Sequence, residues 1–312
     1  MHKKIFISSP RDIYLKAKGD DRESFKHSVI HKIEELGYKL QYYNPGVAAG
    51  GSGIAEGKSW DYKEVKEIIG GCAGVVLIGL RYWSDCIQAG DNKINLVTEY
   101  CHYEGAIART YNLPVFPLLE EGVEKRLVFS SYSGEEIFEF RKNADDKWLE
   151  NSDFQIFLQR WNKKVVVRDD LFLGYSSKVE SVANEIKNFL IVNYPNLKIL
   201  DWKEFNQSGF ILERIKQASE NCTAAILLFT ADELIITNNE IAQTATAIPT
   251  DNVLFEAGYF IHAKGHERVL LIAESGARIP ADLGGIIYAP LQNKGNISSI
   301  HEKLKSFIAK NL

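Results

Sequence analysis

At 312 residues the chain exceeds the usual span of a single domain, so two domains, each with its own core, are expected. A content of 45% hydrophobic and 25% charged residues is ordinary for a globular protein, and a formal net charge of −4 argues against nucleic acid or an anionic membrane surface as partner. No apolar run approaches the roughly 18 residues that span a bilayer, and Met1 leads straight into HKKIFISSP without a cleavage site, which points to the cytoplasm.

Lys4 to Ser8 reads as a first strand feeding a Ser-Ser-Pro-Arg-Asp turn, and Arg22 to Leu36 carries helix-spaced apolar residues that stop before Gly37. Tyr38 to Tyr43 supplies a second strand, Pro45 to Lys58 a glycine-rich loop, Tyr62 to Ile69 a helix and Gly74 to Leu80 a buried strand. A helix over Val97 to Tyr111 leads into the apolar run Leu113 to Leu119, after which the sequence is charged and irregular through Lys147. Glu150 to Asn162 reads as a helix that either closes the first domain or bridges to the next. The boundaries that follow are a first domain over 1–148, a linker helix over 149–163 and a second domain over 164–312.

The order then restarts. Val165 to Gly174 holds the strand-like VVV and LFLG, Ser176 and Ser177 make a turn, and Val179 to Ile191 is an amphipathic helix. Leu197 to Trp202 is a strand, Gly209 to Ser219 a helix, Ala224 to Thr230 a buried strand, Asn252 to Ala263 a helix and Arg268 to Ala273 a strand. Asn238 to Thr250 reads as a polar, weakly structured loop. Alternation of this kind predicts a parallel sheet in each half. Ligands of such sheets bind beyond the carboxyl ends of the strands, so Ser8, Ser9 and Arg81 in the first half, and Gly174, Ser176, Ser177, Trp202, Asp232 and Glu256 in the second, become candidates. Cys72, Cys86, Cys101 and Cys222 form no CxxC pair, so we expect reduced thiols, no metal and no disulfide framework; Cys101-His102 reads as a buried thiol beside a helix histidine.

Asp251-Asn-Val-Leu-Phe-Glu-Ala-Gly-Tyr-Phe-Ile261 resembles the TIR-like domain of bacterial predicted nucleotide-binding proteins. So do LFLGYSS at Leu171 to Ser177, ILDW at Ile199 to Trp202, ILLFTADE at Ile226 to Glu233 and IPADLGGIIY at Ile279 to Tyr288. The resemblance implies an anti-phage, abortive-infection effector that a cyclic nucleotide or similar signal assembles into a homo-oligomer, and whose TIR unit then degrades NAD as substrate with no further cofactor. It carries the catalytic carboxylate of the family to Glu256, with Phe255 and Gly258 matching beside it and Ala257 departing. The first half resembles a TIR domain more loosely, through IFISSPRD at Ile5 to Asp12, GVVLIGLRYWSD at Gly74 to Asp85 and YCHYEGAIARTYNLPVFPL at Tyr100 to Leu118, which makes Glu104 the equivalent position. Insertions at Gly50 to Gly57 and Cys86 to Lys93 depart from that pattern and leave a sensing or assembly role open. The Glu104 segment is also similar to nucleoside deoxyribosyltransferases, whose carboxylate attacks a sugar C1′. The fold class implied is α/β, with two tandem flavodoxin/TIR-like domains, each a mostly parallel sheet flanked by helices.

Nicotinamide leaves NAD as a neutral base, so cleavage needs little acid catalysis, and one carboxylate near the ribose can stabilise the developing cation or attack C1′. Glu256, near the first turn of its helix, is expected to point into the crevice instead of along the apolar face; the competing reading is an acidic residue favoured by the helix N-terminus. Trp202 and Phe205 are candidates to stack on a base or to fill the core. Ser176 and Ser177 suit pyrophosphate or helix capping, and Asp232 suits a ribose hydroxyl or a turn. Asn252, Phe255 and Tyr259 complete the candidate substrate-binding set on the Glu256 helix. Two rival functions remain: an N-glycosidase or deoxyribosyltransferase using Glu104, and a non-catalytic nucleotide-sensing scaffold.

Overall fold

The computed structural model describes residues 3–12, 15, 22–43, 60–89, 92–142, 144–205, 210–239, 242–283, 286, 288–292 and 296–312. It divides into two compact units, residues 2–167 and 168–312. The glycine-rich stretch Pro45 to Lys58 lies outside the described residues.

The first unit runs β1 (Lys4–Ser8), α1 (Arg22–Glu35), β2 (Lys39–Gln41), α2 (Tyr62–Gly70), β3 (Gly74–Gly79), a hairpin of β4 (Trp83–Ala89) and β5 (Asn92–Leu96), α3 (Glu99–Thr110), β6 (Val115–Glu120), β7 (Phe138–Phe140) and α4 (Ser152–Val166). Its main sheet is parallel throughout, in the order β2-β1-β3-β6-β7. Alternate side chains of the central strands face opposite ways. Ile5, Ile7, Val76 and Ile78 share one core with residues of α1 and α4, while Phe6, Val75 and Leu77 share the other with α2 and α3. Every residue of β3 is buried, as its unbroken apolar run requires in a sheet covered on both faces.

The second unit repeats the plan with β8 (Leu171–Gly174), α5 (Glu180–Asn193), β9 (Ile199–Asp201), α6 (Ile211–Asn221), β10 (Ala224–Phe229), a hairpin of β11 (Glu233–Asn239) and β12 (Ala242–Ile248), α7 (Asp251–Lys264), β13 (Val269–Glu274), β14 (Tyr288–Leu291) and α8 (His301–Asn311). Its sheet order is β9-β8-β10-β13-β14, again all parallel. One core joins α5 and α8 to Leu171, Leu173, Ile226 and Leu228; the other joins α6 and α7 to Phe172, Ala225 and Leu227. In both units the strand order reverses between the first and third strands, where the connections leave in opposite directions and open a crevice at the carboxyl ends.

Two local expectations are corrected. The VVV run at Val165 to Val167 is the end and cap of α4, not a strand: Val165 is fully buried while Val166 and Val167 are 44% and 67% exposed, a helical pattern in which the buried valine continues the stripe of Leu158 and Trp161. The polar stretch from Asn238 is not a loop, because β11 and β12 pair antiparallel from Glu233↔Ile248 to Asn239↔Ala242. The described residues of the insertion at Cys86 to Lys93 belong to β4 and β5. The helix at Glu150 to Asn162 closes the first unit, since Phe154, Leu158, Trp161 and Val165 of α4 fill its core and Trp161 Nε1 donates to Pro114 O at 3.1 Å. Trp161→Ala is therefore expected to cost about 3–5 kcal/mol of first-unit stability. Hydrogen exchange should quicken across β1, β3 and β6 and leave β8, β10 and β13 protected.

Candidate active site

In the second unit the first strand ends at Gly174, directly beneath α7. The buried stripe of α7 consists of Val253, Glu256, Ala257 and Phe260, at i, i+3, i+4 and i+7, so the glutamate occupies a core position of its helix. Phe260 stacks on Phe172 of β8 with centroids 4.7 Å apart and an interplanar angle of 14°, which fixes the helix over the strand end. Glu256 is 2% exposed. It is the sixth residue of α7, beyond the first turn, and lies in the apolar face from which it was expected to point away. The favourable influence of the helix N-terminus fades within the first turn, so the dipole does not explain the residue.

A side chain at position 174 would have no room: a Cβ there would meet Glu256 Oε2 at 2.7 Å and Leu227 Cδ2 at 2.8 Å. The carboxyl thus occupies the space that the glycine leaves. Burial pushes its pKa up to about 8, against which the indole of Trp202 donates a hydrogen bond, while Oε2 is buried with no hydrogen-bond partner among the described residues. A buried acceptor without a donor costs stability, and near neutrality this one is relieved by keeping its proton.

Trp202 is aimed by the residue before it. Asp201 Oδ1 accepts from Tyr175 Oη at 2.7 Å and from the Lys203 N–H at 3.0 Å, and Lys187 Nζ reaches Oδ2 at 2.9 Å. Burial alone would raise the Asp201 pKa, but the Lys203 N–H, the Tyr175 hydroxyl and Lys187 hold it below the usual carboxylate value. This clamp, absent from the sequence-based candidates, fixes the backbone on both sides of Trp202.

Ser176 and Asp232 meet each other. Asp232 Oδ2 accepts from Ser176 Oγ at 2.5 Å and from Thr230 Oγ1 at 2.8 Å, and Lys178 Nζ donates to the Asp232 carbonyl at 2.9 Å. This strap joins the carboxyl ends of β8 and β10 and is the turn-carboxylate role of Asp232. Ser177, Asn252 and Phe255 are exposed, Phe255 at 49%, and Tyr259 is half-buried. The side chain of Phe205 lies outside the described residues.

The first unit contains the same arrangement. Thr98 and Thr250 both precede their helices, and Glu104 is likewise the sixth residue, in a buried stripe of Cys101, Glu104, Gly105 and Ala108. Burial pushes the Glu104 pKa up to about 7, with the Ser8 hydroxyl and Trp60 acting against it. Trp60 Nε1 donates to Glu104 Oε1 at 3.2 Å, and Ser8, at the end of β1, takes the place of Gly174. A cleft of about 380 Å³ opens beside Glu104, lined by Ser9, Trp60, Trp83 and Tyr100 among others.

Arg81 does not line that cleft. Its guanidinium lies 4.0 Å from buried Glu120, whose Oε2 also accepts the Arg81 N–H at 2.7 Å. Glu274 Oε2 accepts the Ala231 N–H at the same distance in the second unit, so this link belongs to the fold. Cys72, Cys101 and Cys222 are buried free thiols. Burial pushes the Cys101 thiol up to about 12 and the His102 imidazole down to about 4, so neither is charged near neutrality. Asp12, Glu23 and His27 bring ligand-capable atoms within 4.8 Å of one another, but Asp12 is already engaged by Lys26 and His27.

A raised carboxyl pKa means that the folded unit holds a proton which the unfolded chain has lost. The Glu256 contribution to stability should therefore fall as pH rises from the usual glutamate value to about 8 and level off above it, while the buried Lys264 amine on the same helix, pushed down to about 7, acts in the opposite sense above that pH. Glu256→Gln removes this slope. The variant is expected to exceed the parent by up to about 5 kcal/mol above pH 8 and by little near pH 5, read by chemical unfolding at both values. Gly174→Ala would meet Glu256, Leu227 and the stacked ring of Phe172, all at under 3.0 Å, so it should displace the carboxyl and lower the unfolding midpoint.

A family model described as the TIR domain of CAP12/Pycsar effector proteins matches residues 170–293, a span that includes Gly174, Trp202, Asp232 and Glu256. CD-NTase-associated protein 12 of Sphingobacterium faecium is 32% identical over 137 residues, which are 44% of this chain and 41% of that protein. The protein of the same name from a Lachnospiraceae bacterium is 32% identical over 143 residues, 45% and 44% of the two chains. Pycsar effector protein PaPycTIR of Pseudomonas aeruginosa is 28% identical over 120 residues, 37% of each. The match spans less than half the length of each of these relatives.

Proposed function

We propose, from the premise that residues 170–293 form a TIR domain of the CAP12/Pycsar effector type, that the protein is an anti-phage effector whose second unit is an NAD glycohydrolase. The observation that carries this reading is the Glu256 carboxyl, held by Trp202 at the end of β8 with one oxygen buried and without a hydrogen-bond partner among the described residues. A scaffold gains nothing from a group that destabilises it; an enzyme acting on a cationic glycoside does.

In the resting unit near neutrality the carboxyl is mostly protonated. The positive charge of a nicotinamide riboside beside it favours the ionised form, so substrate binding releases the proton and leaves a desolvated carboxylate facing C1′. As the bond from C1′ to the pyridinium nitrogen breaks, its electron pair leaves with neutral nicotinamide. The positive charge moves to the ribose, where the carboxylate is worth more than it would be in water. Water then adds to C1′ with loss of a proton, giving ADP-ribose, or a nucleophile within the same molecule closes a cyclic isomer. Trp202 keeps the carboxyl in place and offers an indole face to the ring, and Gly174 leaves space for the carboxyl.

We assign activation to self-association on binding a small signal of the cyclic-nucleotide class, with NAD as substrate and no other cofactor. Phe210, Ile211 and Leu212 at the start of α6 are 85%, 63% and 54% exposed, an apolar run on the helix that packs against α7. No helix among the described residues is long and apolar enough to cross a membrane.

The test is release of nicotinamide from NAD by concentrated protein with and without candidate cyclic nucleotides. Glu256→Gln should lower the rate at least about a hundredfold with its fold retained, and Gly174→Ala should lower kcat through the displaced carboxyl. For the parent, kcat/KM should rise with pH through about 8, because the free protein must lose the Glu256 proton. Undiminished turnover by Glu256→Gln would sink the assignment. Leu212→Asp should abolish signal-dependent assembly and activity together, as measured by light scattering beside the NAD assay.

A further inference from the structure

The family match begins at residue 170 and leaves the first unit without an assigned ligand, yet that unit contains a cleft with the chemistry to take one. Glu104 lines two adjoining spaces of about 380 Å³ each, which also share Ser9, Pro10, Arg11 and Tyr43. Each is large enough for part of a small ligand, and together they suit an elongated one.

The walls differ in character. On one side of Glu104 the lining is aromatic, with Trp60 and Tyr100 5.7 Å apart by ring centroids and Tyr100 49% exposed; Trp83 nearby donates from Nε1 to Glu99 at 3.1 Å. On the other side the lining is mixed, with the exposed Arg11, Lys26, His27 and the Asp12 carboxylate beside Ile7, Ile30 and Tyr42. Lys26 is occupied by Asp12 and the Pro10 carbonyl, so Arg11, which borders both spaces, is the cation nearest the junction that can turn to an anion. Trp60 itself is anchored: the next residue, Asp61, donates its N–H to Tyr43 Oη at 2.8 Å and caps α2 by accepting from the Glu64 N–H at 2.9 Å. An aromatic platform anchored through Asp61, a buried carboxyl at its foot and an exposed cation beyond follow the order of base, sugar and phosphate.

We propose that the first unit holds a second nucleotide site, which takes a ribonucleoside phosphate with its base against Trp60 and Tyr100, its sugar hydroxyls at Glu104 and its phosphate toward Arg11. The site is independent of the NAD-cleaving reading of the second unit. It uses residues of the first unit alone, and it exists whether or not Glu256 performs any chemistry. Glu104 accepts from the sugar hydroxyls as it already accepts from the Trp60 indole, and no bond is made or broken.

The experiment uses the full chain carrying Glu256→Gln, so that no turnover at the second unit consumes the probe. Adenosine 5′-monophosphate and nicotinamide mononucleotide are titrated separately by calorimetry, which distinguishes a neutral purine from a cationic pyridinium on the same platform. At least one should bind saturably. Tyr100→Ala, which removes a half-exposed ring, and Arg11→Ala should each weaken binding about tenfold or more, and Glu104→Gln should do so with an unfolding midpoint no lower than the parent's above pH 8. Adenosine without phosphate should lose the sensitivity to Arg11→Ala while keeping that to Tyr100→Ala. Failure of both nucleotides to bind, or binding that Tyr100→Ala, Arg11→Ala and Glu104→Gln all leave unchanged, overturns the proposal. Either outcome leaves the NAD assay of the parent chain to stand or fall by itself.

Discussion

A carboxyl group buried at the end of a central parallel strand needs three things at once: a strand end with no side chain in the way, a donor to hold one oxygen, and a helix placed so that its apolar stripe passes over the crevice. Gly174, Trp202 and the Phe172–Phe260 stack provide these in the second unit. The strand order β9-β8-β10-β13-β14 makes them possible. Only between β8 and β10 do connections leave toward opposite faces, so only there can a helix side chain enter from above without meeting another loop. The tight packing of Ala257 against the sheet follows from the same geometry, because a carboxyl placed over Gly174 requires the helix to lie close.

Each unit repeats this solution with different parts. The hydrogen bond from the second residue after the third strand of the main sheet to a glutamate ending its fourth, Arg81 to Glu120 and Ala231 to Glu274, has the same length in both. The tryptophan that holds the carboxyl comes from the same connection, between the second strand and second helix, but from opposite ends of it. Trp202 follows β9 directly and is clamped through Asp201, whereas Trp60 stands just before α2 and is pinned through Asp61 and Tyr43. That the donor is kept while its anchoring is replaced indicates that the indole hydrogen bond, and not the loop, is what the fold requires.

Much of this was legible in the sequence. The continuous apolar runs GVVLIG and AAILLF could only be buried central strands, and the repeated order of elements fixed two parallel sheets. Glu256 and Glu104 stand out through the resemblance of their segments to TIR domains, although the apolar stripe on which each lies should have shown that they are buried. What escaped was non-local. The β11–β12 hairpin reads as a loop because a short polar segment with threonines and small residues carries no period that survives without its partner strand. The VVV run was misread because β-branched residues at a helix end look like a strand until the burial of Val165 alone is known. Trp60 gave no local signal, since its bond to Glu104 spans 44 positions.

The placement of each glutamate in the second helical turn also sets its chemistry. A carboxylate in the first turn is stabilised in its ionised form by the free N–H groups and stays charged whether or not substrate is present. One turn further along, with burial dominant, the ionised form is disfavoured, and the group charges readily only when something positive arrives. In both units burial is the dominant cause, and it raises the pKa of Glu256 and of Glu104 alike against a tryptophan donor. A carboxyl so raised gives up its proton readily only when a positive charge approaches, which suits a site that must stabilise a transient cation.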